Sequence, residues 1–479
     1  MPARRIASTL SLEAPRQRSA LQDWVDRSLD EGLSDARRRG KTTLHVTSRR
    51  VDWPLPFGVF DSRIRDVHFF GGPGRAVLGV GIAKAFELGP PVQIATRARA
   101  ALRALGSLSP SDASKVLLIG GWGFPSTRGM RKKGAWSDFA PSRWVIPAFT
   151  LASSGRETNL TMVANVEPAS KEARLRAEYR ALVKALQPRA ATFRAESLPA
   201  LKSSRSTPTR ANWVSLAREA VESISRDELK KVVLARAVTL TFGAKVPVSV
   251  VLKRLIAFNP DSTVFALKRK GSVFLGATPE SLLSARGEEI EVDCLAASSP
   301  RSADREVDYM LGARLLRDPK SSREHQFVVR AAVSALSTIS SRLEVPGAPV
   351  IKKLTTIQHL YTPVKATLLE GEDVWATATA LWPNPAIGGE PKEMAVRWIR
   401  RFERLDRGWY SGVVGLMDAR QRDADMVVGI RSGVITGRRA VLYAGAGLVA
   451  GSVPKDEFEE TGWKLRTMGR ALGVEADRW

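Results

Sequence analysis

Hydrophobic positions along the first half of the chain predict short strands and one clear helix. The runs Val116–Gly123 (VLLIGGWG) and Leu160–Val166 (LTMVANV) have the composition of buried strands. Apolar residues recur at helical spacing from Ser170 to Gln187, which predicts a helix. The polar, Pro/Ser-rich stretch Pro188–Arg210 then predicts a connection rather than a packed element.

The pattern becomes more regular in the second half. Lys230–Phe242 has strand composition, Pro247–Phe258 suits a helix, and Ser262–Gly276 predicts two strands around a Lys270–Gly271 turn. Later elements are predicted as helices from Ser322 to about Leu343 and from Glu393 to about Glu403, strands at Trp409–Leu416, Met426–Val434 and Val441–Ala444, and a helix beginning near Lys455 with Pro454 at its first turn.

Strands and helices do not alternate regularly, so a doubly wound parallel sheet is not expected. The pattern favours a mixed α+β fold, with large sheets rich in antiparallel pairs and flanked by helices, in a single large domain. Residues 1–212 form its N-terminal part, which ends in the polar connection. Residues 213–479 form the part that carries the candidate chemistry.

Composition narrows the class of protein. With 479 residues, 44% of them hydrophobic, the chain can bury a large core. Cys294 is the sole cysteine, which excludes an intrachain disulfide and a Cys-rich zinc site and suits a reducing cytoplasm. The sequence lacks an uncharged apolar run of about eighteen residues, so no membrane span is expected. The basic N-terminus lacks the apolar segment of a secretory signal.

The formal net charge of +25 raises the question of a polyanionic partner. The basic residues are spread along the chain and are not accompanied by an RNP, zinc-finger or basic-zipper pattern. Solvated basic faces therefore explain the charge better than a nucleic-acid site. A basic surface would still attract a small dianionic substrate.

Several charged residues could carry chemistry, although each also has an ordinary structural explanation. Lys231 opens a strand, as many solvated lysines do. Glu280 follows Thr-Pro, where it would occupy the first turn of a helix and interact with the helix dipole. Glu324 and His325 follow two serines at a helix start, which suits capping.

Two further groups lie near the C-terminus. Glu457, Glu460 and Lys464 are spaced to project from one helix face, which is also the spacing of a surface ion-pair row. Gly445 and Gly447 in YAGAG would turn backbone N–H groups toward an anion, although a tight turn alone has the same pattern.

The order of the motifs is more specific than any one of them. The succession reads KVVLAR (231–236), FLGATPESLL (274–283), LAASSPR (295–301), EH (324–325), QHLYT (358–362), NPAIGG (384–389), RGWYSGVVG (407–415), IRSG (430–433), LYAGAG (442–447) and SVPKDEFEETGWK (452–464). It resembles the chorismate-binding family, which includes isochorismate and salicylate synthases and the large subunits of anthranilate and aminodeoxychorismate synthases. The resemblance spans roughly residues 213 to 472. Upstream, GGWGF with Trp136 and Phe139 (WSDF) is more weakly similar to isochorismate synthases.

The resemblance implies a cofactor and a substrate. Members of this family bind Mg²⁺ through two acids, which match Glu324 and Glu460, and Glu457 matches a further acid near the metal. Carboxylate oxygens are the ligands that such a hard cation prefers. Contacts to chorismate are implied for Arg431, Tyr443, Gly445, Gly447, Lys464, Ala297, Ser298 and His359. An arginine suits this role because its planar fork pairs with a carboxylate.

The resemblance also distinguishes which nucleophile attacks the ring. Members that use water carry a lysine before VVL as general base, and this position is Lys231; members that use ammonia typically carry glutamine. Glu280 matches the general acid that protonates the departing C4 hydroxyl. Ala296 stands where aminodeoxychorismate synthases have a nucleophilic lysine, and the lone cysteine does not lie in a glutaminase motif.

These residues lead us to expect an isochorismate synthase, a monomer or homodimer without a glutaminase subunit. Salicylate synthase is the alternative, because it shares the base, the acid and the metal ligands. An ammonia-using subunit is disfavoured by Lys231 and Ala296.

The chain departs from the usual family pattern in several places. Ala297 replaces a glycine, and its methyl group crowds any close backbone approach to a substrate. Trp382 and Asn384 flank Pro383 where isochorismate synthases usually show His-Pro-Thr, while Ala366 and Asp425 replace a glycine and a glutamate. The expected base, acid and metal ligands are retained.

Overall fold

The computed structural model describes residues 3–103, 108, 110–125, 134–155, 157–187, 197–354 and 357–475, with the backbone alone for residues 3–19, 91 and 110. The strands are β1 (Thr43–Val51), β2 (Asp66–Gly72), β3 (Arg75–Val80), β4 (Lys84–Phe86), β5 (Leu117–Trp122), β6 (Ser142–Ile146), β7 (Phe149–Ser154), β8 (Glu157–Val166), β9 (Leu201–Thr207), β10 (Lys231–Phe242), β11 (Thr263–Arg269), β12 (Ser272–Thr278), β13 (Ser281–Arg286), β14 (Glu289–Pro300), β15 (Ser340–Glu344), β16 (Val350–Lys353), β17 (Ile357–Leu368), β18 (Gly389–Glu390), β19 (Val413–Asp418), β20 (Asp423–Val428), β21 (Ser432–Thr436) and β22 (Arg439–Val449).

Helices cover the sheets at several places. They are α1 (Ala3–Arg39), α2 (Ile94–Arg103), α3 (Pro110–Lys115), α4 (Glu172–Leu186), α5 (Arg210–Ser225), α6 (Val248–Phe258), α7 (Arg305–Arg317), α8 (Pro319–Ser337), α9 (Val374–Leu381), α10 (Lys392–Phe402) and α11 (Pro454–Ala471), with short 3-10 helices at Phe57–Asp61 and Pro91–Gln93. Helix α11 packs on β22, α8 packs on β14, and α1 packs on β1. Among the described helices, none combines the length and apolar character that a membrane crossing requires.

The strands form two large sheets. Over the described residues, the first sheet has twelve strands in the order β1-β8-β7-β3-β2-β11-β12-β21-β22-β10-β18, with β9 paired to β10. The second has ten, in the order β15-β17-β14-β13-β20-β19-β5-β6-β4, with β16 paired to β17. Every pairing given for these strands is antiparallel, which confirms the expected α+β fold. Strands from both sides of residue 212 occur in both sheets.

An aromatic core fills the space between the two sheets. Phe274 on β12 and Tyr443 on β22 come from the first sheet, and they meet Trp136, Phe139 and Trp409. These rings pack edge-on or tilted, which are the favoured geometries for aromatic pairs. The sheets are therefore held at a defined spacing close to the candidate site.

The chain passes between the sheets at two adjacent points. Residues 279–280 connect β12 in the first sheet to β13 in the second, and residues 429–431 connect β20 in the second to β21 in the first. Backbone hydrogen bonds join the crossings: the N–H of Val428 donates to the carbonyl of Glu280 (3.0 Å), and the N–H of Ala277 donates to that of Arg431 (3.3 Å).

The crossings correct two of our predictions. Glu280 does not begin a helix, because the backbone after it pairs with β20 as strand β13. The predicted strand Met426–Val434 is two strands, divided where Arg431 adopts a left-handed backbone with φ of 50°. Both strands are largely buried and apolar, so the short Arg431–Ser432 interruption between them did not reveal the break.

Three other boundaries also differ from our predictions. The helix predicted to about Leu343 ends at Ser337, because Ser340–Glu344 pairs with β17 instead. Of Trp409–Leu416, only the part from Val413 is strand, and the residues before it form a turn. Leu201–Thr207, inside the predicted connection, is strand β9; residues 188–196 of that connection lie outside the described part.

Candidate active site

A cavity of about 240 Å³ opens beside the two crossings. Its wall includes most of the residues that the sequence predicted for the site, namely Glu280, Ala297, Ser298, Glu324, His359, Arg431, Tyr443, Gly445, Gly447, Glu460 and Lys464. Lys231 and Glu457 are not on the wall but adjoin it. Lys231 is fully buried and donates to Glu324 Oε1 (2.9 Å), and Glu457 accepts from Lys320 (2.9 Å) on the cavity wall.

Three structural elements bring these charged residues together. Strand β10 begins with Lys231, and α8 supplies Glu324. The Asp318 side chain caps α8 by accepting from the backbone N–H of Ser321 (2.8 Å), so this helix starts at the cavity edge. Helix α11 presents Glu460 and Lys464 one turn apart, as their spacing predicted.

Each of the three predicted metal-binding acids is paired with a lysine. Lys231 contacts Glu324 at 2.9 Å, Lys464 contacts Glu460 at 2.6 Å, and Lys320 contacts Glu457 at 2.9 Å. Within the part of the chain that is described, no group of three acids, histidines or cysteines converges as a preformed metal site. Glu324 and Glu460 nevertheless share one cavity wall, and each has oxygen donors of the type that Mg²⁺ prefers.

These acids differ in their electrostatic environment. Burial favours the neutral form of Glu460, but the Lys464 ammonium outweighs it and holds the pKa of Glu460 below its ordinary value. Burial and the nearby Glu460 charge raise the pKa of Glu457. The Ser452 hydroxyl also donates to Glu457 Oε1 (2.8 Å), so this carboxyl is anchored away from the cavity.

Glu280 has the environment of a proton donor. Burial raises the pKa of this carboxyl, and the charges of Lys231, Lys464 and Arg431 oppose that effect only in part. Asn384 Nδ2 donates to Glu280 Oε1 at 2.8 Å. Because Asn384 Oδ1 accepts from the backbone N–H of Ala386 (3.1 Å), the amide is oriented with its donor toward the acid.

The cationic groups lie on the same wall. Arg431 is partly buried, and that burial lowers its pKa, although an arginine stays protonated at neutral pH. Lys464 donates to the carbonyl of Gly445 (2.9 Å) as well as pairing with Glu460. A carboxylate that enters the cavity would therefore meet two positioned cations.

Gly445 and Gly447 do not form a turn, contrary to one explanation of the YAGAG motif. Both lie inside β22, opposite Ala235 and Val233 of β10. A Cβ atom on Gly447 would stand 2.9 Å from Lys231 Cε and 3.1 Å from Glu324 Oε1. The glycine is therefore needed for space beside the ion pair.

Ala297 and His359 form a neutral part of the wall. Ala297 interrupts the pairing of β14 with β17 and has a φ of 54°, a region that glycine adopts without strain. His359 Nδ1 lies 2.9 Å from Ser298 Oγ and 3.2 Å from the carbonyl of Ala297. Burial, and then the Arg431 charge, lower the pKa of His359 to about 3, so this ring is neutral at physiological pH.

Tyr443 is supported from the N-terminal part of the chain. Trp136 Nε1 donates to the Tyr443 hydroxyl (2.9 Å), and the Tyr410 ring stacks on Tyr443 with centroids 5.3 Å apart. The sequence singled out Trp136 but missed Tyr410, as well as Lys320 and Asp318 on the wall. Asp318 could have been found from its place before Pro319 at a helix start.

Known proteins resemble this chain over most of its length. The model of the chorismate binding enzyme family matches residues 31–473. The chain is 34% identical to isochorismate synthase MenF of Bacillus subtilis over 363 residues, 75% of each chain. It is 35% identical to the salicylate biosynthesis isochorismate synthase of Pseudomonas aeruginosa over 360 residues, 74% of each chain.

Solved structures share the fold. The menaquinone-specific isochorismate synthase MenF of Escherichia coli superposes with a TM-score of 0.76 at 23% identity, covering 93% of this chain and 99% of that one. Anthranilate synthase component I of Streptococcus pneumoniae superposes with a TM-score of 0.65 at 17% identity, covering 88% and 92%. With the family match over nearly the whole chain, the conclusion is that this chain belongs to the chorismate binding enzyme family.

Proposed function

We propose that this chain is an isochorismate synthase, which adds water at C2 of chorismate and releases the C4 hydroxyl. The observation that carries the proposal is the placement of Lys231 and Glu280 at one cavity that also presents Arg431 and Lys464. The curated relatives that are isochorismate synthases by name support the same reaction.

Arg431 and Lys464 account for binding of the substrate. Chorismate carries two carboxylates, and these two cations on the cavity wall are suited to hold them. The neutral His359 ring adds a polar group without adding charge. The ring of the substrate would thereby be fixed relative to the acid and the base.

Glu280 and Lys231 account for the proton transfers. The raised pKa of Glu280 favours the protonated form that a general acid needs to protonate the leaving C4 hydroxyl. Lys231, which adjoins the cavity through its contact with Glu324, is the base that accepts a proton from the attacking water. Ala296, also on the cavity wall, offers no competing nucleophile, which favours water over ammonia-derived products.

Mg²⁺ is part of this proposal. Glu324 and Glu460 would hold the ion through their carboxylate oxygens, and Glu457 would be a further acid near Glu460. When bound, Mg²⁺ supplies Lewis-acid stabilisation of negative charge on the substrate. A cytoplasmic monomer or homodimer without a glutaminase subunit completes the proposal.

The test is incubation of the purified protein with chorismate, with and without Mg²⁺, and chromatographic identification of the products. We expect isochorismate only with the metal, and a loss of at least about 100-fold in kcat for Lys231→Ala and Glu280→Gln. Lys230→Ala is the matched control, because Lys230 is the exposed neighbour of Lys231 and pairs with Asp227. If the products are salicylate and pyruvate, the chain is a salicylate synthase instead. If the wild-type protein is inactive, both assignments are wrong.

A further inference from the structure

A second cavity, of about 480 Å³, adjoins the first. The two share Ser298, Arg431, Glu460 and Lys464 as wall residues, so these side chains lie between the two cavities. We call the first space the inner cavity. We call the second space the outer cavity.

The outer cavity has its own chemical character. One face of α11 lines it with Trp463, Arg466, Thr467 and Arg470, which follow each other at helical spacing. Phe258 lies opposite, and the Arg470 guanidinium packs over its ring at 4.3 Å from the centroid. Trp463 is 50% exposed, an unusual position for such a large apolar side chain.

Arg466 and Arg470 are exposed cations, and neither forms an ion pair with any described residue. By contrast, the two lysines on the wall of the inner cavity, Lys320 and Lys464, each pair with a glutamate. The positive charge of the outer cavity is therefore available to an anion. Opposite charge at the mouth of a cleft raises the local concentration and the association rate of a charged ligand.

We propose that the outer cavity is the route by which the cyclic dicarboxylate substrate reaches the inner cavity, with Arg466 and Arg470 recruiting it. The inference rests on the proposed function, because it takes the dianion chorismate as the ligand. Trp463 and Phe258 contact the carbon ring in transit, and Arg431 and Lys464 receive the carboxylates at the shared wall.

The first test changes the charge. In Arg466→Gln/Arg470→Gln we expect kcat/KM for chorismate to fall about 3- to 10-fold at low ionic strength, with kcat unchanged. The difference should nearly vanish at 1 M salt, where the Debye length is about 3 Å. Arg218→Gln/Arg330→Gln is the matched control, because these arginines lie on other helices and line neither cavity.

The second test obstructs the space. Thr467→Trp places a large side chain in the outer cavity, and we expect at least about a 10-fold loss of kcat/KM. Thr467→Val, which keeps the size of the threonine side chain, is the control. Equal kcat/KM in wild type and either test variant would overturn the inference. Because the arginine exchanges are at the surface, they remain informative even if Thr467→Trp fails to fold. If the wild-type protein does not convert chorismate, the proposed function fails. If the wild type is active and the variants have the same kcat/KM, only the inference about the outer cavity fails.

Discussion

At the scale of single residues, Gly447 leaves the space that the Lys231 and Glu324 side chains occupy. An added Cβ would come within 2.9 Å of Lys231 Cε, the far part of a flexible side chain. For Gly447→Ala we expect Lys231 to be displaced and kcat to fall about 100-fold, because a misplacement of about 1 Å has that effect on catalysis. Steady-state kinetics would measure it.

Gly271→Ala is the control for this exchange. A Cβ there meets nothing within 4 Å, so kcat should stay at the wild-type value. The free energy of unfolding, measured with denaturant, should change little in either variant. A Gly447→Ala protein with at least half the wild-type kcat would contradict the assigned role.

The amide of Asn384 is expected to tune the acid. Its hydrogen bond favours ionised Glu280, so in Asn384→Ala the pKa of Glu280 should rise further. A general acid works protonated, and activity falls as pH rises through its pKa; the alkaline fall should therefore move to higher pH. Losing this orienting contact should also lower kcat about tenfold.

A pH–rate profile tests the Asn384 prediction. The charges facing Glu280, those of Lys231, Lys464 and Arg431, are unchanged in the variant. Asn384→Thr keeps a hydroxyl donor and should restore most of the wild-type profile. An alkaline fall that stays in place or moves to lower pH would show that the amide does not set the ionisation of Glu280.

The charged residues that the sequence predicted for the site line or adjoin one cavity. The sequence did not predict that each acid would pair with a lysine, since Lys320 and Glu457 meet only through the packing of α8 near α11. Tyr410 was missed for a similar reason: its role depends on stacking with Tyr443, which lies on strand β22. Contacts of this kind have no local signal.

At the scale of elements, a buried ion pair supports strand β10. Arg407 Nε donates to Glu403 Oε1 (2.7 Å), and Glu403 Oε2 accepts from the backbone N–H of Ala235 (2.8 Å). Arg407 also donates to the carbonyls of Ile387 (3.0 Å) and Val233 (2.7 Å). The pair thus connects β10 to the loops that border the cavity.

Removing one partner should leave the other charge buried without compensation. For Arg407→Met we expect the free energy of unfolding to fall by about 3–5 kcal/mol, as for other broken buried pairs. Urea unfolding followed by circular dichroism would measure it. Arg404→Met, an exposed neighbour, should change stability by less than about 0.5 kcal/mol. Equal stability of the two variants would be inconsistent with the structural role of Arg407.

Element types followed from hydrophobic periodicity, whereas the ends of elements often did not. The helix from Val248 and the helix from Pro454 agree with prediction because proline and apolar spacing mark them locally. The break at Arg431 was missed because buried, apolar strands lie on both sides of a short polar interruption. Tertiary pairing determines such boundaries.

At the scale of the whole molecule, the N-terminal part completes both sheets. Strand β2 pairs with β11, and β5 pairs with β19. A fragment of residues 213–479 would expose both strand edges and the aromatic core that includes Tyr443. We expect this fragment to bind a hydrophobic dye and to unfold without cooperativity, whereas the full chain unfolds cooperatively. Cooperative unfolding of the fragment would instead support its independence.

The two crossings beside the cavity have one more consequence. Glu280 and Arg431 sit on segments that leave one sheet and join the other, and those segments are hydrogen-bonded together. Activity should therefore depend on the spacing between the two sheets. A small increase in that spacing would disturb the positions of Glu280 and Arg431 while the hydrogen bonds within each sheet remain intact. At low denaturant concentration, activity should accordingly be lost before the far-ultraviolet circular dichroism signal of the secondary structure changes.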